Sequence, residues 1–197
     1  GADAVLVVTP YYNKPSDEGI YRHFEAVSKV GIPVVVYNIQ GRTGRNIETS
    51  LLERIVQLPN MVAVKEASGN VSQMMDVIAK IKLKNPDFAV LSGDDSLSLP
   101  LIAAGGDGVI SVVSNIAPTE VTNLVQSALN DDMSKARELH YKLLPFFKAA
   151  FVDGNPSSIK YAMSTKGMIK PCVRLPLVEV KESAKSVIEN ALKECNL

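Results

Sequence analysis

Cysteine and histidine are scarce in this 197-residue chain: Cys172 and Cys195 lie far apart in the sequence, and only His23 and His140 could join them. That shortage excludes a disulfide framework and offers no Cys-x-x-Cys or Cys/His cluster for zinc, so reduced thiols are expected, with no metal and no cofactor. Net charge is lacking as well. Lys plus Arg and Asp plus Glu both number 21, which removes the electrostatic reason to expect nucleic acid or an anionic membrane as partner. No apolar run is long, and residues 32–37 fall far short of a bilayer span. No signal peptide precedes the first strand-like run, and a chain that opens on Gly1 inside that run is expected to be a piece of something longer. What the sequence does hold is core: 46% of its residues are hydrophobic, enough for one large domain or two small ones. A cytoplasmic metabolic protein is the expectation.

Short β-rich runs alternate with helical patterns. Residues 4–8 form an apolar run that Pro10 stops, leaving Tyr11 and Tyr12 in a loop. Ser16, followed by Asp17 and Glu18, reads as an N-cap opening a helix whose Ile20, Phe24, Val27 and Val30 share one face, and Gly31 ends it. Further strands are expected over 33–37, 61–65, 88–91 and 108–112, with helices over 49–56 and 71–81 and a short one through Leu101. Residues 38–44 read as a polar turn with two glycines. From Pro118 onward helical patterns dominate, over 119–129, 133–151, 157–164 and 181–192. The expected division is an α/β part over 1–130 and a helical domain over 131–197. Strand then helix, repeated with strands apolar throughout, is the pattern of a parallel sheet covered by helices. Two architectures fit: an open doubly wound sheet, or part of a (β/α)8 barrel with a helical tail. In both, functional groups gather at the carboxyl ends of the strands.

Lys65 stands at such an end, after the apolar run Met61-Val62-Ala63-Val64 and before a Ser68-Gly69-Asn70 turn. Taken alone it reads as a solvated lysine. Held among apolar side chains, its ammonium would lose hydration, its pKa would fall, and the free amine could attack a ketone to form a Schiff base. That chemistry needs an acid and base partner, for which Tyr37 on the neighbouring strand end is placed, and a holder for a substrate carboxylate, for which Arg42 or glycine-turn N–H groups serve. Gly105-Gly106-Asp107-Gly108 precedes a strand instead of following one, so it does not meet the context of a dinucleotide fingerprint. Asp94 and Asp95 stand before a helix and read as an N-cap, and neither histidine receives a role.

Five segments then carry a family resemblance. Val7-Val8-Thr9-Pro10-Tyr11-Tyr12-Asn13, Val36-Tyr37-Asn38 with Gly41-Arg42-Thr43-Gly44, Val64-Lys65-Glu66-Ala67-Ser68-Gly69-Asn70, Leu91-Ser92-Gly93-Asp94-Asp95, and Gly105-Gly106-Asp107-Gly108-Val109-Ile110-Ser111 together resemble the dihydrodipicolinate synthase family of the N-acetylneuraminate lyase superfamily. The resemblance implies a (β/α)8 TIM barrel, of which this chain carries strands 4 to 8, and a C-terminal helical domain. It implies that pyruvate is held as a Schiff base on Lys65 and condensed with aspartate-4-semialdehyde, in lysine and diaminopimelate biosynthesis. By the same resemblance Tyr37 relays protons, Arg42 holds the semialdehyde's carboxylate, and Ile110 brings a backbone carbonyl near pyruvate. Tyr12 matches a tyrosine lent to a neighbouring subunit, and Tyr11 one that packs at that interface, so a homo-oligomer built as a dimer of dimers is implied.

Two departures qualify the match. Gln40 stands where the family usually has proline, which bears on the stiffness of the turn. The family's first three βα units, with the Gly-Thr-Thr-Gly-Glu segment that binds the pyruvate carboxylate, have no counterpart here, so the chain is expected to be a C-terminal portion with an incomplete relay. Other pyruvate aldolases of the superfamily, N-acetylneuraminate lyase and keto-deoxy sugar acid aldolases, would use the same lysine and tyrosine. A catalytically silent truncated chain is the remaining alternative.

Overall fold

The computed structural model describes residues 1–197. They form two compact units, Gly1–Ile110 and Ser111–Leu197, where the sequence placed its division after residue 130.

The first unit runs β1 (Val5–Val8), α1 (Asp17–Ser28), β2 (Val34–Asn38), α2 (Gln40–Thr43), α3 (Thr49–Ile55), β3 (Met61–Glu66), α4 (Val71–Val77, continued by a π turn Ile78–Lys82), β4 (Ala89–Ser92), α5 (Ser98–Ala103) and β5 (Gly108–Val109). All neighbouring strands pair in parallel, in the spatial order β1-β2-β3-β4-β5. A doubly wound sheet reverses its strand order at a switch point. This sheet has no reversal, which removes that alternative.

The helices form where local chemistry starts them. The Ser16 side chain accepts from Gly19 N–H at 3.3 Å to cap α1, and Asn70 accepts from Gln73 N–H at 3.1 Å to cap α4, satisfying N–H groups that the first helical turn leaves free. Ile20 and Phe24, spaced by four, point one way from α1 and are fully buried. They join Leu51, Leu52 and Ile55 of α3 and Met74 and Val77 of α4 in packing against Val34, Val36, Val64 and Val90 of the sheet. Because strand side chains alternate, the other face carries Val35, Tyr37, Ala63, Lys65 and Leu91.

The pairing of β2 with β3 slips once. Val34 lies opposite Met61, but Val35 lies opposite Ala63, so Val62 is an extra residue. It is 38% exposed. Bulges are rare in parallel pairs, and this one decides that Lys65, instead of Val64, faces Tyr37.

In the second unit, α6 (Pro118–Leu129), α7 (Met133–Ala149), α8 (Ser157–Thr165) and α9 (Glu182–Glu194) pack on one another. Helix α6 lies along α7 and buries Val121, Leu124 and Ala128, which is why residues 111–130 group with the later helices. Asp132 caps α7 by accepting from Lys135 N–H at 3.0 Å. No helix is long and apolar enough to cross a membrane.

Candidate active site

Lys65 and Tyr37 are each the last residue but one of their strands and are register partners across β2 and β3. Lys65 is only 9% exposed, and its Nζ lies 4.3 Å from the centre of the Tyr37 ring. That is within the distance at which a cation is attracted by an aromatic face. Burial pushes the Lys65 ammonium below the ordinary lysine pKa, and the charge of Asp95 opposes that shift. Burial pushes the Tyr37 phenol up, and the Arg42 guanidinium opposes it. A lysine lowered toward its free amine beside a tyrosine kept as a phenol gives a nucleophile and a proton donor on one face of the sheet.

Asp95 is the member of this cluster that the sequence reading missed. The two aspartates divide their roles: Asp94 caps the 3-10 turn Asp95–Leu97, accepting from Ser96 N–H at 2.8 Å and from the Ser96 hydroxyl at 2.7 Å. Asp95 is 2% exposed and exerts its charge on Lys65. Gly93, two residues earlier, lies against the lysine stem. A Cβ added there would lie 2.7 Å from Ala67 Cβ and 3.1 Å from Lys65 Cε, so only glycine leaves the stem its course. The signal available in the sequence was the Gly-Asp-Asp order at a strand end, one strand away from the lysine.

Arg42 is carried by α2, a single helical turn where a polar turn was expected. Gly44 ends it with φ +73, a left-handed conformation that glycine adopts without steric cost, and its N–H donates to Gln40 O at 2.8 Å. The stem of Lys14 lies over Gly44, close enough that a Cβ there would be 2.7 Å from Lys14 Cε. Gln40 is the first residue of this turn, a position where proline's missing N–H and fixed φ would also fit.

The remaining expected residues are placed differently. Ile110 is half-buried just beyond β5, and its N–H donates to Ser92 O at 2.9 Å; the strand itself stops at Val109, short of the expected residue 112. Tyr11 and Tyr12 are 68% and 94% exposed, and Tyr12 has φ 69. A bulky residue held in that region is strained. The structure therefore gathers Lys65, Tyr37, Asp95 and the field of Arg42, while the two tyrosines of the first loop stand exposed. No group of three or more His, Cys, Asp or Glu side chains is placed to hold a metal ion.

A buried lysine amine set against a tyrosine ring at the carboxyl ends of sequential parallel strands places the chain among α/β proteins with a candidate amine nucleophile. The sequence profile of the Dihydrodipicolinate synthetase family matches residues 1–195, and the chain belongs to that family. It is 50% identical over 195 residues to the 4-hydroxy-tetrahydrodipicolinate synthase of Protochlamydia amoebophila, a match covering 98% of this chain and 65% of that protein. Among solved structures, the dihydrodipicolinate synthase of Thermotoga maritima superposes with a TM-score of 0.96 at 43% identity, covering 100% of this chain and 67% of that one. The chloride-inhibited dihydrodipicolinate synthase of Acinetobacter baumannii complexed with pyruvate superposes with a TM-score of 0.95 at 38% identity, again over 100% of this chain and 67% of the other. The chain thus spans about two thirds of the length of these relatives.

Proposed function

We propose that the chain carries the Schiff-base half of a 4-hydroxy-tetrahydrodipicolinate synthase, condensing pyruvate with aspartate-4-semialdehyde in lysine and diaminopimelate biosynthesis. Its five strands are then consecutive staves of a (β/α)8 barrel, corresponding to strands 4 to 8 of its relatives. The single observation that carries the reading is the Lys65 amine, buried and 4.3 Å from the centre of the Tyr37 ring. Family membership supports the choice of pyruvate, since one related structure is a pyruvate complex.

In this reading the Lys65 amine attacks the pyruvate ketone, and the carbinolamine loses water to give the imine. Tyr37 supplies and recovers protons through those steps and through enamine formation. Arg42, exposed on its short helical turn, offers a guanidinium to the semialdehyde's carboxylate, and Ile110 presents its carbonyl near pyruvate. Tyr12, strained and almost wholly exposed, completes the relay of a neighbouring subunit while Tyr11 packs at that contact. The working form is a cytoplasmic homo-oligomer built as a dimer of dimers.

The test is to incubate the chain with pyruvate and sodium borohydride and to read the intact mass and peptide map, with Lys65→Ala as control. The expected result is a reduced adduct on Lys65 that the control lacks. A folded sample that yields no adduct on Lys65 overturns the reading. Exchanging the aldehyde in an activity assay of an active preparation then decides between aspartate-4-semialdehyde and the sugar-derived aldehydes of related lyases.

A further inference from the structure

On the reverse side of the sheet, directly behind the reactive pair, lies a cage of polar groups in the apolar core. Asn38 follows Tyr37, Glu66 follows Lys65, and the two are register partners just as Tyr37 and Lys65 are. Alternation turns them to the opposite face, where Asn38 is 1% exposed and Glu66 not exposed at all. The Glu66 carboxyl accepts from Ser68 N–H at 2.6 Å, from Asn38 Nδ2 at 3.0 Å and from Gln73 Nε2 at 3.4 Å. The Asn38 Oδ1 accepts from Ile47 N–H at 3.0 Å, Gln73 Nε2 donates to Ile47 O at 2.9 Å, and Asn46 Nδ2 donates to Gln73 Oε1 at 2.8 Å. Backbone bonds close the same corner: Ala67 N–H donates to Asn38 O at 2.9 Å and Gly93 N–H to Glu66 O at 2.8 Å.

We propose that Glu66 and Asn38 are positioning residues that hold Lys65 and Tyr37 in register at the carboxyl ends of β3 and β2, through the cage they form with Gln73 and Ile47. The role in chemistry rests on the lyase reading above; the role in placing the amine does not. A fully buried acid is costly unless every oxygen is bonded, and a well-packed apolar pair would fill the same space at no such cost. What an apolar pair would not supply is direction. Each strand end is fixed on its core side by side-chain hydrogen bonds to α4 and to the segment before α3, so the residue before it is fixed on the open side. The cage also prefers acceptors: a glutamine at 66 would turn an amide N–H₂ either onto the Ser68 N–H or onto the donors of Asn38 and Gln73.

The test replaces Glu66 by glutamine in the full chain and reads Lys65 in two ways. Competitive labelling with acetic anhydride across pH, resolved by peptide, gives the midpoint at which the Lys65 amine becomes reactive, with exposed Lys29 as internal reference. The groups that act on that amine are the Tyr37 ring from β2 and Asp95 from the turn after β4, and neither is altered. Borohydride trapping of pyruvate gives the rate at which the amine captures substrate. The expected result is a Lys65 midpoint below that of Lys29 in the parent, moved toward Lys29 in Glu66→Gln, with trapping slowed on the order of tenfold or more. A variant with the parent's midpoint and trapping rate overturns the proposal, as does a parent whose Lys65 titrates like Lys29. If Glu66→Gln does not fold, Gln73→Met, which removes the amide that donates to Glu66 and Ile47 and accepts from Asn46 while nearly keeping the volume, must show a smaller shift in the same direction. An unchanged midpoint in that folded variant overturns the proposal equally. A parent that traps no pyruvate while its Lys65 midpoint moves in the variant refutes the lyase reading and upholds the cage.

Discussion

Gly93→Ala is the most direct probe of the room that the lysine needs. Gly93 is not among the glycines held at positive φ, so a methyl group there meets no backbone penalty and the cost is steric. The new Cβ would stand 2.7 Å from Ala67 Cβ, 3.1 Å from Lys65 Cε and 3.2 Å from Lys65 Cγ. Carbon atoms rest at about 3.5–4.0 Å, so the overlap with Ala67 is about 1 Å and that with the lysine stem roughly half as large. Ala67 Cβ is fixed to the backbone and cannot swing away, whereas the lysine stem can. The expected outcome is a destabilisation of about 1–3 kcal/mol, the cost of overpacking a tight site, in urea unfolding. A loss of Lys65 trapping on the order of 10- to 100-fold accompanies it, since a misplacement near 1 Å is enough for that. The double variant Ala67→Gly with Gly93→Ala removes the larger overlap and leaves the contact with the stem. It should recover part of the stability and little of the reactivity. A single variant within about twofold of the parent in trapping rate would refute the account of Gly93.

Asp95→Asn removes the charge that holds the Lys65 ammonium up against burial, so the reactive midpoint of Lys65 should fall in the labelling experiment, opposite to the effect of Glu66→Gln; a rise would sink the assignment. Arg42→Ala should raise KM for the aldehyde on the order of tenfold or more while leaving pyruvate trapping near parental rates, and equal losses in both assays would count against its role at the carboxylate. His140 is 8% exposed, its Nδ1 has no hydrogen-bond partner, and burial pushes its pKa down. The unfolded chain therefore binds its proton first as pH falls, and stability should drop as pH falls from about 7 toward 5. His140→Phe should reduce that slope in thermal unfolding measured across the same range, leaving the share of His23, whose imidazole burial also pushes down, and an unchanged slope would show that other groups set it.

Lys65 and Tyr37 were legible because their signals are local: an apolar run that ends in a cation, and a tyrosine closing the run before it. The one-turn helix that carries Arg42 was not, since Gly41 and Gly44 have the look of a loop and the turn is completed by a Gly44 N–H reaching Gln40 O. The fifth strand was overdrawn for a similar reason. Residues 110–112 are apolar enough for a strand, but the backbone leaves the sheet after Val109 and enters a 3-10 turn at Val113–Asn115. Helix α6 follows the strands as another repeat unit in the sequence, and only its packing on α7 assigns it to the second unit. Asp95 and Glu66 were hidden more deeply. An acid in a sequence reads as surface, and each is buried only because segments distant in the chain close over it. Parity was the unused clue for Glu66: it shares the face of Val64, a core residue, so it had to be buried and bonded.

The extra residue Val62 acts on β3 as a frame shift acts on a message. Residues before it and residues after it keep opposite phase relative to β2, so the first part of the strand and the lysine answer to different alignments. Pairing the strand without the break, with Val62 kept and set opposite Val35, would bring Val64 opposite Tyr37, carry Lys65 around to the helix-covered side and turn Glu66 to the open one, whereas deleting Val62 would leave Lys65 opposite Tyr37. Anyone who transplants this strand into another parallel sheet must keep the break together with its extra residue or leave out both, because either one alone turns the lysine to the wrong face.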